Sequence, residues 1–574
     1  MGYSAIADAH TGWGGQTVGA SQPAQAAGAG KGRIFLAMGA FAVCYLAIAA
    51  RLMVLANSPE HPENFAQSAE SALAASRPDI VDRNGEVLAT DIKTPSLFVN
   101  PRQVIDRDDA IDRLLQVLPE LDRQSLRRDL ESDRAFVFVK RELTPAQQAA
   151  VHELGIPGLG FVEENRRVYP AGNTASHVLG VVSVDHEGLA GIEKFVDQQG
   201  LAALRAAGLS SDDSMKPIEL ALDLRVQHSL RDELVHAMTT YQAKAAAGII
   251  LNARTGEIVA MSSLPDFDPN VASQALDPDR LNRAVTGVFE LGSTFKAFTA
   301  AMALDTGAAT LDSTYDARKP IRVASFQIDD FHAQRRVLSV PEIFIYSSNI
   351  GSAKMALDVG VEGHKAFLRK LGLLDRLRTE LPESALPLVP ARWSELSTMT
   401  IAYGHGLGVT PLQAASAAAA LVNGGNLIKP TFMKRSVAEA NRIAEHVLKP
   451  ETSDAMRYLM RLNVEKGTAT RAEAPGYRVG GKTGTAEKNI NGRYVKNKLL
   501  TTFMGAFPMD QPEYVVMVML DEPKGTAETH GYATSGWNAV PVSGRIIERI
   551  APMLGVAPRR DHQDKGNGPL LVSF

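Results

Sequence analysis

Gly292-Ser293-Thr294-Phe295-Lys296-Ala297-Phe298-Thr299-Ala300-Ala301-Met302-Ala303-Leu304 is the stretch that decides how the rest of this 574-residue chain is read. Its glycine permits a tight turn, and the mostly apolar residues that follow favour a helix. If Ser293 opens that helix, Lys296 lies one turn on and on the same face. Burial and the positive helix terminus both disfavour an ammonium there, which should move the Lys296 pKa down from about 10.4 toward working pH. A neutral lysine can then take the proton of Ser293, whose hydroxyl is inert unaided. Alone, a serine three residues before a lysine is better read as an exposed helix pair without chemistry.

Two more tripeptides follow in order: Ser347-Ser348-Asn349, 54 positions on, and Lys482-Thr483-Gly484, a further 135 on. Each occurs once. Ser347-Ser348-Asn349 suits a helix cap or an Asx turn. It also suits chemistry: Ser347 as a proton relay between Lys296 and a leaving amine, Asn349 as the group orienting the lysine and a substrate amide. Lys482-Thr483-Gly484 with Thr485 reads as an edge strand. Gly480, Gly481 and Gly484 there suggest close approach of a peptide-like ligand lying alongside as an added strand. Lys482, Thr483 and Thr485 would receive a terminal carboxylate, and the N–H groups of Ser293 and Thr485 would form an oxyanion hole. A plain strand ending in a glycine turn is the alternative. The three motifs together form the signature of serine acyl-transferases that recognise D-Ala-D-Ala or penicillin.

The chain resembles the class B penicillin-binding proteins, the monofunctional peptidoglycan D,D-transpeptidases, over roughly residues 77–550. Beyond the three motifs, the resemblance rests on Arg77-Pro78-Asp79 through Ala89, Arg167-Val168-Tyr169-Pro170, His177 to Gly180, Gly188 to Glu193, Ala253 to Met261, Gly404 to Gln413 and Asn423-Gly424-Gly425. Leu291 stands where the family often has proline, and Pro78 where it often has glycine; neither change removes a reacting atom. The resemblance implies a penicillin-recognising α+β fold, an antiparallel sheet with helices on both faces plus a helical lobe, preceded by an elongated pedestal of the class B dimerisation type. It implies peptidoglycan stem peptides and lipid-linked nascent glycan as substrates, β-lactams as inhibitors, and no cofactor. Gly531 to Pro541 and the compact pedestal look most like the septal, FtsI-type branch. Such enzymes work with a membrane glycan polymerase of the FtsW type and other division proteins. An elongation-type transpeptidase, a D,D-carboxypeptidase or β-lactamase, and an inactive division scaffold are the alternatives. The 76 residues ahead of the first pedestal motif are too few for a glycosyltransferase.

Composition narrows the classes further. A net charge of −4 with interspersed signs leaves no footprint for nucleic acid. The single cysteine, Cys44, excludes an intramolecular disulfide and a cysteine metal cluster, and the thirteen histidines show no paired metal spacing. Residues 1–33 read as a disordered cytoplasmic tail and 34–56 as a transmembrane anchor. A helix of that length spans about 34 Å against a hydrocarbon core of roughly 30 Å. Lys31 and Arg33 keep the N-terminus inside, and Arg51 can snorkel to the outer interface. The expected location is the cell inner membrane at the division septum, single-pass, with the catalytic part periplasmic. Cleavage after Ala49, as in a signal peptide, is the rival. Residues 57–76 read as a linker, 77–220 as the pedestal, 221–556 as the transpeptidase domain and 557–574 as a loose tail. Within the pedestal, Arg107–Ser132 and Thr144–Leu154 read as helices, and its acids and arginines as a solvated surface.

Overall fold

The computed structural model describes residues 38–39, 41–51, 53, 76–201, 216–323, 326–490 and 492–559. Residues 41–51 are helical, and among the described residues no helix is long and apolar enough to cross a membrane. The rest of the expected anchor, the tail 1–33, the linker up to residue 75 and the last residues 560–574 lie outside them.

The N-terminal part is built on β1 (Ile80–Val81), β2 (Val87–Val99), β3 (Val137–Lys140), β4 (Leu159–Val168) and β5 (Ile218–Glu219). Strand β2 pairs antiparallel with β1, β3 and β4, running against β4 from Thr90↔Val168 to Val99↔Leu159, while β5 lies parallel to β1. One helix over Arg107–Ser132 was expected; two are found, α1 (Arg107–Val117) and α2 (Arg123–Glu131). Pro119 disfavours helical backbone at Leu118, which turns to φ −124°, ψ 72°, and Asp122 then caps α2 by accepting from Ser125 N. Thr144 opens α3 (Pro145–Glu153), as expected, and closes a capping box with Gln147.

The solvated surface expected for the pedestal gives way to a buried ionic network. The Glu193 carboxylate accepts from Arg77 Nε at 2.7 Å and from Arg167 Nε at 2.6 Å. Arg77 also reaches Asp197 at 2.9 Å and Arg167 reaches Asp91 at 3.1 Å. Side chains of Arg77 and Glu193 have no exposure at all. Burial and the Glu193 charge push the Tyr169 phenol well above its ordinary range, so it stays a neutral donor to Glu193, at 3.3 Å. The charges escape the usual surface only because each has opposite partners and filled hydrogen bonds.

The C-terminal part is organised by a five-stranded antiparallel sheet in the order β8 (Gly480–Ile490), β9 (Arg493–Phe507), β10 (Tyr514–Asp521), β6 (Ala245–Asn252), β7 (Ile258–Leu264). Every residue of β10 is buried. Its unbroken apolar run follows from cover on both faces. Val515, Met517 and Met519 belong to the core shared with α5 (Lys296–Thr306), α8 (Pro411–Val422) and α9 (Pro450–Lys466). Val516, Val518 and Leu520 pack in the opposite core, against α4 (Leu224–Tyr241) and α10 (Ala539–Ile550). Gly248 lets α4 come close: a Cβ there would stand 2.7 Å from Leu230 Cδ1. The helical lobe inserted between β7 and β8 holds α5, α6 (Val340–Ile345), α7 (Asn349–Lys370, kinked at Gly360), α8 and α9. The tail expected to be loose is docked as far as it is described, with Arg559 N donating to Gly476 O at 2.9 Å.

Replacing Glu193 with Ala would leave two buried guanidinium groups without their shared partner. Removing one member of a buried ion pair costs about 3–5 kcal/mol, so Glu193→Ala should lower the thermal midpoint sharply. A midpoint within a degree or two of the parent in calorimetry would refute the network's structural role.

Candidate active site

Ser293 lies not in the first turn of an α-helix, as expected, but in a 3-10 turn, Gly292–Phe295, that feeds α5 at Lys296. Gly292 makes that turn at φ +57°, a conformation that favours glycine, and donates to Gly404 O at 3.3 Å. Gly404 in turn must be glycine, since a Cβ there would fall 2.0 Å from Gly292 O. The Ser293 side chain is half-buried and makes no hydrogen bond to any described residue, which leaves its hydroxyl open to a ligand.

Lys296 is 2 % exposed. Its Nζ donates to the Ser347 carbonyl and, at 3.0 Å, to Ser347 Oγ. Burial pulls its pKa down to about 7, with the Asp330 charge resisting the fall. Ser347 sits in the break between α6 and α7, at φ +56°. That left-handed backbone is uncommon for a residue with a side chain and marks stored strain. Ser348 is the N-cap of α7, accepting from Gly351 N. Asn349 is placed at the same helix start, with Nδ2 donating to Asp329 O at 2.8 Å; Lys296 finds its partners on Ser347 instead.

The third motif reaches the same point from the sheet. Lys482 is fully buried on the edge strand β8, and its Nζ donates to Ser347 Oγ at 3.0 Å. One hydroxyl thus accepts from two lysines. Burial, then the neighbouring Lys296 charge, push the Lys482 pKa well below its ordinary value. Thr483 Oγ1 pairs with Thr468 Oγ1 at 2.8 Å, and Thr485 Oγ1 accepts from Ser535 N at 3.1 Å. The glycines of this strand also meet the chain itself at close range. A Cβ on Gly484 would lie 2.3 Å from Leu291 O, one on Gly481 2.4 Å from the Phe503 ring, and one on Gly480 2.1 Å from Met509 Cε. Gly292 answers Gly484 from the other side, its own Cβ position being 2.7 Å from Thr485 O. These glycines press β8 against the Ser293 turn and the chain's own core.

Several contributors carried no signal of their own in the sequence, although His405 lies within the Gly404 to Gln413 stretch. Asp330 holds the second motif, accepting from Ser348 Oγ at 2.8 Å and Ile350 N at 2.9 Å. Thr468 follows the helix-ending Gly467, yet nothing in its spacing ties it to Thr483. His405 packs between Tyr403 and Tyr494. Burial first, and the Lys296 charge second, hold its pKa down at about 4, so it is neutral and a weak rival to Lys296 as a base. Glu290 accepts from Gly406 N at 3.1 Å and from Tyr494 at 3.0 Å, which ties the β8–β9 hairpin to the segment leading into Ser293.

Comparison with known proteins agrees with this geometry. Residues 246–547 match the penicillin binding protein transpeptidase domain, and residues 72–215 the penicillin-binding protein dimerisation domain. A probable peptidoglycan D,D-transpeptidase FtsI of Caulobacter vibrioides is 40% identical over 94% of this chain and 91% of its own. A probable peptidoglycan D,D-transpeptidase PenA of Neisseria gonorrhoeae is 34% identical over 85% of this chain and 86% of its own. The crystal structure of penicillin binding protein 3 of Mycobacterium tuberculosis, complexed with aztreonam, shares the fold with a TM-score of 0.64 at 24% identity, covering 84% of this chain and 97% of that one. A transpeptidase fold carrying the three motifs on one site, joined to a dimerisation domain, places the chain in the class B penicillin-binding proteins of the FtsI type.

Proposed function

We propose that this chain is a septal peptidoglycan D,D-transpeptidase working through an acyl-enzyme on Ser293. The observation that carries the proposal is the Ser347 hydroxyl, shared at 3.0 Å by Lys296 and Lys482 beside the Ser293 turn. Ser293 Oγ attacks the penultimate D-Ala carbonyl of a stem peptide; the C–O bond forms and the peptide C–N bond breaks. Neutral Lys296 takes the Ser293 proton, and Ser347 passes it to the departing D-Ala amine. The N–H groups of Ser293 and Thr485 receive the developing oxyanion. Lys482, Thr483 and Thr485 hold the terminal carboxylate on the open edge of β8, Gly484 keeps that edge close to Ser293, and Asn349 contacts the substrate amide. An amine of a second stem peptide then attacks the ester, C–N forms, and Ser293 Oγ leaves with the amine proton. Penicillins, mimics of D-Ala-D-Ala, would leave Ser293 acylated.

The division 77–220 and 221–556 into pedestal and transpeptidase domain belongs to the same proposal. So do the 34–56 anchor, the cytoplasmic N-terminus, the inner-membrane septal location and an FtsW-type glycan polymerase as partner. The relatives named FtsI and the apolar run 34–50 support it. Depletion in the native host should produce filaments; rounded cells would point to an elongation role.

Fluorescent penicillin should label the purified protein on Ser293, and Ser293→Ala should remove the label without altering the far-UV spectrum. Mass spectrometry that finds the adduct on a different serine would overturn the assignment.

The acylation rate should depend on pH through Lys296. Its pKa is lowered to about 7, so the neutral, proton-accepting form grows as pH rises past that value. The second-order rate with benzylpenicillin should climb below pH 7 and level off above it. Lys296→Ala should lose ~10²–10⁴-fold in rate, the usual contribution of a general base. A flat profile from pH 5.5 to 8, or near-parental speed in the variant, would place the base elsewhere.

The mature protein should keep residues 34–56 and resist carbonate extraction from membranes. N-terminal sequencing from the native host that starts at Ala50, in a soluble fraction, would show a cleaved leader instead of an anchor.

A further inference from the structure

We propose that a cavity behind the helical lobe, apart from the acyl-transfer site, binds a diphosphate group. It is an open hollow of about 440 Å³ where the end of α7, the loop after it and the first turns of α8 meet. Its charge contrasts with the net −4 of the whole chain. Arg369, Lys370, Arg376, Arg378 and Lys429 line it, against only Asp375 and Glu445. Asp375 reaches Arg369 alone, and only at 3.9 Å. The side chains of Lys370, Arg376, Arg378 and Lys429 make no ion pair or hydrogen bond with any described residue.

Helix-end electrostatics explain part of this. Cations in the last turn of α7 offset its partial negative charge, which accounts for Arg369 and Lys370. They do not account for Arg376, Arg378 and Lys429, which come from outside that helix. The floor is polar as well. Ser416 on α8 is 4 % exposed and lines the cavity with a hydroxyl that bonds to no described residue. Gln413, 2 % exposed, donates to Gly372 O at 3.3 Å and Asp375 O at 2.7 Å. Those bonds hold the loop of Arg376 and Arg378 against α8.

Four unpaired cations around one concavity repel one another, and a multiply charged anion relieves that repulsion. Guanidinium forks match phosphate oxygens in pairs, and the Ser416 hydroxyl on the cavity floor adds a directional donor. A single carboxylate would leave most of the positive charge unmet. A diphosphate carries enough negative charge to meet several of these cations at once. The group can come from a soluble phosphate compound or from a lipid that carries it, and the same chemistry recognises both.

The test uses the full-length protein in detergent, titrated calorimetrically with inorganic pyrophosphate and, separately, with farnesyl diphosphate. Both should bind and weaken with added salt. Comparable or tighter binding of farnesyl diphosphate indicates a lipid source, and binding of pyrophosphate alone a soluble one. Arg376→Glu with Arg378→Glu should weaken binding by roughly tenfold or more, about 1.4 kcal/mol at 25 °C, while penicillin labelling of Ser293 persists. If that pair fails to fold, Arg376→Gln with Lys429→Gln makes the same measurement. Absence of binding by both anions, parental affinity in the charge variants, or capture of poly-glutamate where neither diphosphate binds would overturn the proposal.

Discussion

Two lysines buried beneath one serine hydroxyl set the terms for the whole catalytic part. An ammonium moved out of water is costly, and two side by side are worse. The structure meets that cost in three ways. Ser347 Oγ accepts from both, Asp330 stands near enough to favour the Lys296 charge, and the Phe344 ring faces Lys482 Nζ at 5.9 Å. What remains uncompensated appears as lowered pKa values. The burial that threatens stability therefore also produces a lysine able to accept a proton near neutral pH. Stability and chemistry compete for the same few ångströms.

That arrangement needs two separately built layers to meet. Lys296 is carried by the lobe, Lys482 by the sheet edge, and Ser347 by a strained break between two lobe helices. The meeting is steric before it is electrostatic. Gly484 gives way to Leu291 O, Gly292 to Thr485 O, and Gly404 to Gly292 O. Each glycine removes a Cβ that would hold two backbones apart. The two cores, one on either face of the sheet, then fix β8 while α5 is fixed by its own burial.

This explains what could be read from the sequence and what could not. That Lys296, Ser347 and Lys482 meet was legible because three motifs in that order point to one site, and the fold brings them together. The sheet strands were legible because apolar runs such as Val515 to Leu520 fit a layer covered on both faces. Gly480, Gly481 and Gly484 were visible as sites of close approach, but a sequence does not say what approaches; here it is the chain itself. Asp330 and Thr468 were invisible because they act through folded neighbours, on Ser348 and Thr483. The break at Pro119 was a local signal that the charged, helix-favouring run around it masked.

The pedestal shows the same limit at longer range. Arg77, Asp91, Arg167 and Glu193 come from segments up to 116 residues apart, and a charge in isolation reads as a surface charge. Only their convergence makes burial tolerable. A well-packed apolar cluster would hold these strands at least as firmly, so stability alone is a poor reason for such a network. Directional bonding supplies a better one. The ion pairs fix the segment from Tyr169 to Glu193 in one register, and that segment meets the catalytic part: Tyr169 N donates to Asn270 Oδ1 at 2.9 Å, and Gly191 N to Glu383 Oε1 at 2.9 Å. Gly180 and Gly191 lock the same segment, since a Cβ on Gly180 would stand 1.9 Å from Ala190 O. An apolar core tolerates sliding; paired guanidinium and carboxylate groups do not. The network thus places directional bonds on the same Tyr169–Glu193 segment whose backbone N–H groups reach Asn270 and Glu383 of the part that carries Ser293.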